Sequence, residues 1–512
     1  MRGRRQLEPR EWLALALGLA VAAAALTPLG WLALRGAEAG GLDALLGVVT
    51  RDSGATVARS AALSFGVAAL CVALALPAAW LTEATDLPGR RLWRVLLVLP
   101  LAVPSYVSGF VVVAAFGPAG WAASAGLRLP EVYGGFGATI ALLFAYPYAL
   151  LPIRAAIAEL DPDVWNAARS MGCSPARAMT RVVLPALRPA IATGGILVAL
   201  YVLSDFGAVS LTRFRTLSYV VYLRYQSLFG REEAVLYGIW LVGVAALLLA
   251  ARRAVRGRPT ATLRRGSRRA WEPIPLGRWR PVALAYCTAL SAFGVLLPLG
   301  VVGYWLARGL ANGAPIHPFG DALWNTLAVG VGGAAVVLAA GWLIAALPRT
   351  RASFFIRQGA YVGYALPGIV VALALVVLAT RAVPALYQTV PLLLFAYVVR
   401  FVPIAGATLT THREQLDPRL QDAARSMGKT PPQVARTVTL PLLVPALWAA
   451  YLAAFLSVIK ELPATLLLAP LEFNTLATHI WAQTEEAFFT SVALPVLLLV
   501  LIAGAVVTAR RH

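Results

Sequence analysis

Asp205 and Glu461 stand 256 positions apart in a chain of 512 residues, each near the end of a long apolar run. An ionised side chain is expensive in such a setting and is a functional candidate. A desolvated carboxylate beside a water-filled path attracts a cation and repels an anion. Lys460 directly precedes Glu461, so the other reading is a helix-end carboxylate that is solvated or paired with that lysine. Neither acid has the neighbours that covalent or metal-centred catalysis needs. His317, His412, His479 and His512 are scattered, no H-E-x-x-H pair occurs, and Cys71, Cys173 and Cys287 show neither a disulfide framework nor metal-ligand spacing. Gly428-Lys429-Thr430 has the ending of a phosphate-binding loop. The earlier glycine position is Ala423, however, no strand precedes it, and the matching segment reads Gly172-Cys173-Ser174. The chain is expected not to be an enzyme and to bind no cofactor of its own.

The spacing of 256 extends well beyond the two acids. Sixteen residues of 160–190 recur without a gap in 416–446, among them Leu160-Asp161-Pro162, Ala167-Ala168-Arg169-Ser170-Met171-Gly172 and Leu184-Pro185, matched by Leu416-Asp417-Pro418, Ala423-Ala424-Arg425-Ser426-Met427-Gly428 and Leu440-Pro441. The chain is a tandem duplication, expected to divide into repeats 1–256 and 257–512. A polar segment kept this similar, between apolar segments that have drifted, suggests two copies of one contact surface.

The repeated segment predicts a helix, a glycine corner and a second helix. Asp161-Pro162 and Asp417-Pro418 supply an N-cap carboxylate followed by proline at the first helical position. Val164, Ala167, Ala168 and Met171, like Leu420, Ala423, Ala424 and Met427, fall on one helical stripe. Gly172 and Gly428 stand where a left-handed C-cap would end that helix, with Arg169 and Arg425 in its last turn. Ser174-Pro175 and Thr430-Pro431 start the second helix, expected to run to Leu184-Pro185 and Leu440-Pro441 before the chain enters the membrane. A stripe of alanines permits close approach by another protein. A helix lying on a lipid surface would carry bulky anchors flanked by basic residues instead.

The elements that position these elbows are membrane helices. Hydrophobic residues make up 60% of the chain and charged residues 13%, and runs of about 20 apolar residues, enough to cross a bilayer, recur throughout. They predict an all-α membrane protein of twelve spans, near 11–34, 57–82, 94–117, 135–154, 190–211, 233–251, 281–307, 321–346, 357–379, 387–407, 445–469 and 489–508. The net charge of +21 is unevenly distributed: 32 of the 44 Lys and Arg fall in the termini and connections on one side of that arrangement. By the positive-inside rule both termini and both elbows are expected to be cytoplasmic. Ten of those arginines lie in 252–280, a connector between the halves. Its basic character suits lipid headgroups, and no nucleic-acid partner is expected.

Glu159, Ala167-Ala168, Gly172 and Leu184-Pro185 resemble the EAA signature of permease subunits of binding-protein-dependent ABC importers, and Ala423-Ala424, Gly428 and Leu440-Pro441 repeat it. Gln415 stands where the second copy would carry the signature's first Glu. Two copies in one chain resemble the fused, two-half permeases. The segments Ser204-Asp205-Phe206-Gly207-Ala208-Val209-Ser210-Leu211 and Lys460-Glu461-Leu462-Pro463-Ala464-Thr465-Leu466-Leu467-Leu468 are similar to those of ferric-iron importer permeases. The resemblance implies coupling loops at about 159–190 and 415–446, with Glu159, Asp161, Ala167, Ala168, Gly172, Asp417, Ala423, Ala424 and Gly428 docking on an ABC ATPase subunit present in two copies. It also implies ATP and Mg bound on those partners, a periplasmic substrate-binding protein, the bacterial cytoplasmic (inner) membrane, and a pathway lined by Asp205, Lys460 and Glu461. Permeases for thiamine, sulfate and polyamines share the loop. An ion-coupled secondary transporter is the remaining alternative, but it has no reason to duplicate a cytoplasmic knob.

Overall fold

The computed structural model describes residues 9–48, 54–127, 130–227, 230–255, 272–313, 317–348 and 350–509. Among them the chain is helical, with one isolated bridge between Thr85 and Ile274. Most of the Arg-rich connector, residues 256–271, lies outside the described residues. Among the described residues eleven helices are long and apolar enough to cross a membrane, and one bent pair raises the number to twelve if it counts as one span.

The bent pair corrects the expected straight span at 357–379. Helix Arg351–Ala365 stops, and Gly368–Ala382 leaves at 100° to it. The cause is Leu366-Pro367: proline offers no amide and forces the residue before it out of the helical region, and Leu366 has φ −80° and ψ 133°. The matching span of the first half moves along the chain instead, to Ser105–Ser124. The span expected at 94–117 is a short helix Arg90–Leu96, a tight turn Leu99–Ala102 and a helix Ser105–Phe116, with Val103 extended before Pro104.

Two further expected spans shift along the chain. Those placed at 190–211 and 445–469 begin earlier, at Pro175 and Pro431, and end earlier, at Ser204 and Ile459. The second elbow helix is therefore not separate from the membrane. Helices Pro175–Ala178 and Pro431–Val434 run through wide π turns, Met179–Val183 and Ala435–Thr439, directly into Leu184–Ser204 and Leu440–Ile459. A third π turn, Ala292–Leu296, precedes Leu297–Ala311. Each wide turn comes just before a Leu-Pro pair, where it accommodates a ring that would otherwise strike the carbonyl of the preceding turn.

Each half is built on three mutually packed helices: Gly54–Ala84, Pro147–Glu159 and Leu184–Ser204 in the first, Gly320–Ala346, Val390–Gln415 and Leu440–Ile459 in the second. Apolar lipid provides no hydrophobic drive between helices, so close packing of small residues carries the contact. A Cβ on Gly194 would stand 2.9 Å from Ala149 Cα, and one on Gly341 would stand 2.6 Å from Ala405 Cβ and 2.8 Å from the Gly406 amide nitrogen. The halves also exchange their leading helices. Pro9–Glu38 packs on Arg351–Ala365, where Leu15 and Ala22 join Ile344, Leu347, Ala360 and Val402 in one buried cluster. In return, helices of the second half bond to the first: the Tyr286 hydroxyl donates to the Leu74 carbonyl at 2.6 Å and Trp305 Nε1 to the Ala114 carbonyl at 3.0 Å.

Gly341→Leu is expected to destabilise the protein by about 1–3 kcal/mol, the usual cost of overpacking a tight contact. Gly300 lies on an exposed face with open space at its Cβ, so Gly300→Leu should stay within about 0.5 kcal/mol. Thermal unfolding followed by size-exclusion chromatography in detergent compares the two. Equal melting temperatures would show that the contact of Gly320–Ala346 with Val390–Gln415 is not tight.

Candidate functional site

The two elbows are near copies in geometry as well as in sequence. Asp161 Oδ1 accepts the Asp163 amide at 3.0 Å and Asp417 Oδ1 the Arg419 amide at 2.9 Å, capping helices Pro162–Ser170 and Pro418–Ser426. Gly172 and Gly428 have φ of +83° and +84°. The Cys173 amide donates to the Ala168 carbonyl at 3.1 Å and the Lys429 amide to the Ala424 carbonyl at 3.2 Å. These are the bonds of a Schellman corner, which uses a left-handed residue to satisfy the last helical carbonyls. Arg169 Nη1 adds a bond to the Cys173 carbonyl at 2.5 Å. Glu159 and Gln415 are the exposed final residues of the helices leading into the elbows.

The expected alanine stripe is split. Ala168 and Ala424 are buried against the protein itself, while Ala167 and Ala423 are exposed. The outward apolar tips are Met171 and Met427, at 78% and 73% exposed. Side chains this apolar and this far from their own core suit a partner surface. The first elbow is anchored by Trp165, buried against Trp80 with ring centroids 5.4 Å apart. Gln421 occupies the matching position of the second elbow. That anchor was missed because a lone Trp in a polar helix carries no spacing signal.

The long helices that leave the elbows end at the two acids. Asp205 follows Leu184–Ser204 and caps the short helix Gly207–Leu211, its Oδ2 accepting the Ala208 and Val209 amides at 3.0 and 3.2 Å. Glu461 comes just after Leu440–Ile459 and caps Pro463–Leu468, its Oε1 accepting the Ala464 amide at 3.1 Å. Both acids are buried. The alternative pairing with Lys460 does not form: Glu461 Oε2 is held by the Arg400 guanidinium, and Lys460 Nζ donates to the Leu101 carbonyl of the other half at 3.0 Å. Arg400 was legible in principle, since an arginine inside the apolar run 387–407 needs a counter-charge.

Asp205, Lys460, Glu461 and Arg400 all line a cavity of about 1200 Å³ between the halves. Ser105, Tyr106, Tyr148 and Tyr201 line it from the first half, and Gln358, Tyr361 and Phe401 from the second. On the side away from the elbows, Phe206, Tyr222 and Trp481 form an aromatic cluster across the halves, with centroids 4.9–5.9 Å apart, and Trp481 Nε1 donates to Ser210 Oγ at 2.9 Å. Matching bonds seat the helices behind it: Ser60 Oγ accepts the Leu217 amide at 2.8 Å and Thr326 Oγ1 the Leu476 amide at 2.7 Å. Among the described residues no group of three His, Cys, Asp or Glu side chains could hold a metal ion.

Repeated helical halves around a shared cavity walled by Asp205, Arg400, Lys460 and Glu461, with paired elbows, define a multi-pass membrane transport subunit. A family model described as "Binding-protein-dependent transport system inner membrane component" matches residues 74–252 and 337–510, well over half of the chain in two copies, and the chain belongs to that family. It is therefore an ABC importer permease, of a family that works with ATPase and substrate-binding partners. It is 30% identical over 434 residues, 83% of each chain, to the Fe(3+)-transport system permease protein FbpB 2 of Haemophilus influenzae. It is 30% identical over 256 residues to a probable molybdenum ABC transporter permease protein of Haloferax volcanii, covering 48% of this chain and 93% of that one. The sulfate transport system permease protein CysT of Escherichia coli matches at 31% over 136 residues, 26% of this chain and 48% of that one.

Nothing lies within 4 Å of a Cβ built on Gly172 or Gly428, so any cost of substitution there is conformational rather than steric. Gly172→Val should loosen the elbow by about 1–2 kcal/mol, the left-handed penalty for an L-residue, and Gly172→Asn by less, because asparagine tolerates that region. Hydrogen exchange over 162–178 measures the difference. Equal exchange in the two variants would mean that the corner is not held left-handed.

Proposed function

We propose that this permease imports ferric iron delivered by a periplasmic binding protein, and that its elbows dock on two copies of an ABC ATPase subunit. The observation that carries the substrate is coverage: the relative named for Fe(3+) transport aligns with 83% of the chain, whereas the sulfate and molybdenum relatives align with a quarter to a half of it. The cavity supports the same reading. Of its two cations, Arg400 is paired with Glu461 and Lys460 donates to the Leu101 carbonyl, while the Asp205 carboxylate sets a negative charge in the same wall against an oxyanion. Oxyanion import is the second reading, favoured by the partial relatives.

In the proposed cycle, ATP and Mg bind on the partner subunits and draw them together. The elbows at 159–190 and 415–446 then move with their ATPases, and the two repeats, 1–256 and 257–512, rock so that the cavity opens to the loaded binding protein. Glu159, Asp161, Ala167, Ala168, Gly172, Asp417, Ala423, Ala424 and Gly428 shape or present the docking surface, with Met171 and Met427 as its apolar tips. Asp205, Lys460 and Glu461 line the path. The protein resides in the bacterial inner membrane with both termini and the 252–280 linker cytoplasmic.

Reconstitution of the permease with its neighbouring ATPase and binding protein in proteoliposomes tests the whole reading. ATP-dependent uptake of radioactive ferric iron is expected, with Met171→Glu/Met427→Glu abolishing both ATPase co-purification and uptake. Uptake of an oxyanion in place of iron would overturn the substrate. Full ATPase binding by the double variant would overturn the docking surface.

Sidedness is tested by labelling single introduced cysteines with an impermeant maleimide on spheroplasts. Positions near Asp43 and Glu472 should react from outside, and those near Arg169 and Arg425 should not. Arg128 and Arg265, expected outside and inside respectively, lie beyond the described residues and are labelled in the same series. External labelling at 169, 265 or 425 would invert the topology.

A further inference from the structure

Asp205 and Glu461 match in sequence position and in their capping role, yet their surroundings differ, and the difference singles out one wall of the cavity. Glu461 is charge-compensated by Arg400. Asp205 forms no ion pair with any described Lys, Arg or His. Its neighbours are oxygen donors. Ser105 and Tyr201 line the same cavity as Asp205. The Tyr201 ring lies 5.0 Å from that of Tyr148, and all four side chains line the cavity.

A carboxylate taken out of water without a counter-charge is costly, and the two capping amides supply dipoles but no net positive charge. Such an arrangement persists where the missing charge is supplied by something that passes. The donors are carboxylate, hydroxyl and phenol oxygen, with no thiol or imidazole among them, a set that suits hard cations. The matching second-half wall carries Arg400 and Lys460 and offers no comparable vacancy of charge.

We propose that Asp205, Ser105 and Tyr201 form a transient contact site for a hard, oxygen-seeking cation on the first-half wall, while Arg400 and Glu461 are a structural pair. The site rests on the import reading in one respect: the cavity must be the path. It breaks the symmetry that the repeat implies, because the two acids then have different work.

The test uses the full complex in proteoliposomes, with radioactive ferric iron presented on the binding protein. Asp205→Asn keeps an oxygen for the Ala208 and Val209 amides, so folding and ATPase stimulation by the loaded binding protein should persist. Uptake should fall about tenfold, one contact's worth of barrier. Asp205→Glu should recover part of the rate, and Tyr201→Phe and Ser105→Ala should lose intermediate amounts. The neutral pair Arg400→Met/Glu461→Gln should lose less uptake than Asp205→Asn. Wild-type uptake by Asp205→Asn would overturn the proposal, as would a loss in the neutral pair equal to that of Asp205→Asn with ATPase stimulation intact. If the wild-type complex carries no iron, the substrate reading fails separately. The same variants are then run on whatever ligand the binding protein retains: slowed uptake of another cation by Asp205→Asn supports the site, and unchanged or faster uptake of an anion overturns it.

Discussion

Backbone amides removed from water must be satisfied by the protein itself, and in each half that requirement is sharpest where a long helix stops short of the far side. Ser204 and Ile459 end their helices, and the chain turns at once into the short helices Gly207–Leu211 and Pro463–Leu468. The first amides of those helices have no carbonyl a turn behind them. Asp205 and Glu461 supply the acceptors. Because the breaks are capped by acids, two carboxylates sit in the wall of the shared cavity, and the rest of the site is arranged around their charge. Arg400, from Val390–Gln415, answers one of them. The other is left with amides.

Proline sets the remaining geometry in two ways. Where it follows an extended residue, at Val103-Pro104 and Leu366-Pro367, it ends a helical segment and redirects the chain. Where it falls within a continuing helix, at Pro185, Pro441 and Pro298, a wide turn absorbs it and the helix goes on. The long helices from the elbows to the acids are of the second kind. Each forms one connected rod from Pro175 or Pro431 to the cavity wall, a direct mechanical link between an elbow and the cavity.

The exchange of leading helices makes the duplication one body. Pro9–Glu38 is packed on the second half, and Tyr286 and Trp305 bond to carbonyls of the first. Neither half has its full set of packing partners without the other. The exchange also ties Pro9–Glu38 to Arg351–Ala365, which lines the cavity through Gln358 and Tyr361.

Much of this was legible in the residues alone. Asp161, Gly172, Asp417 and Gly428 act locally: a cap and a left-handed corner depend on neighbours within a few positions, so spacing was enough to place them. Membrane helices were equally legible, because apolar length is a property of a segment by itself. The partners of Asp205 and Glu461 were not. Arg400 lies 61 positions from Glu461. Lys460, next to Glu461 in the chain, points instead to a carbonyl of the other half. The burial of Ala168 beside the exposed Ala167, and the bends at Pro104 and Pro367, were likewise decided by packing. Sequence alone determined that this chain is a duplicated bundle of membrane helices with two capped elbows and two matched acids, because periodicity, capping and apolar length are short-range. Only the tertiary structure decided that one acid is neutralised and the other is not, because the charges that distinguish them arrive on helices distant in the chain.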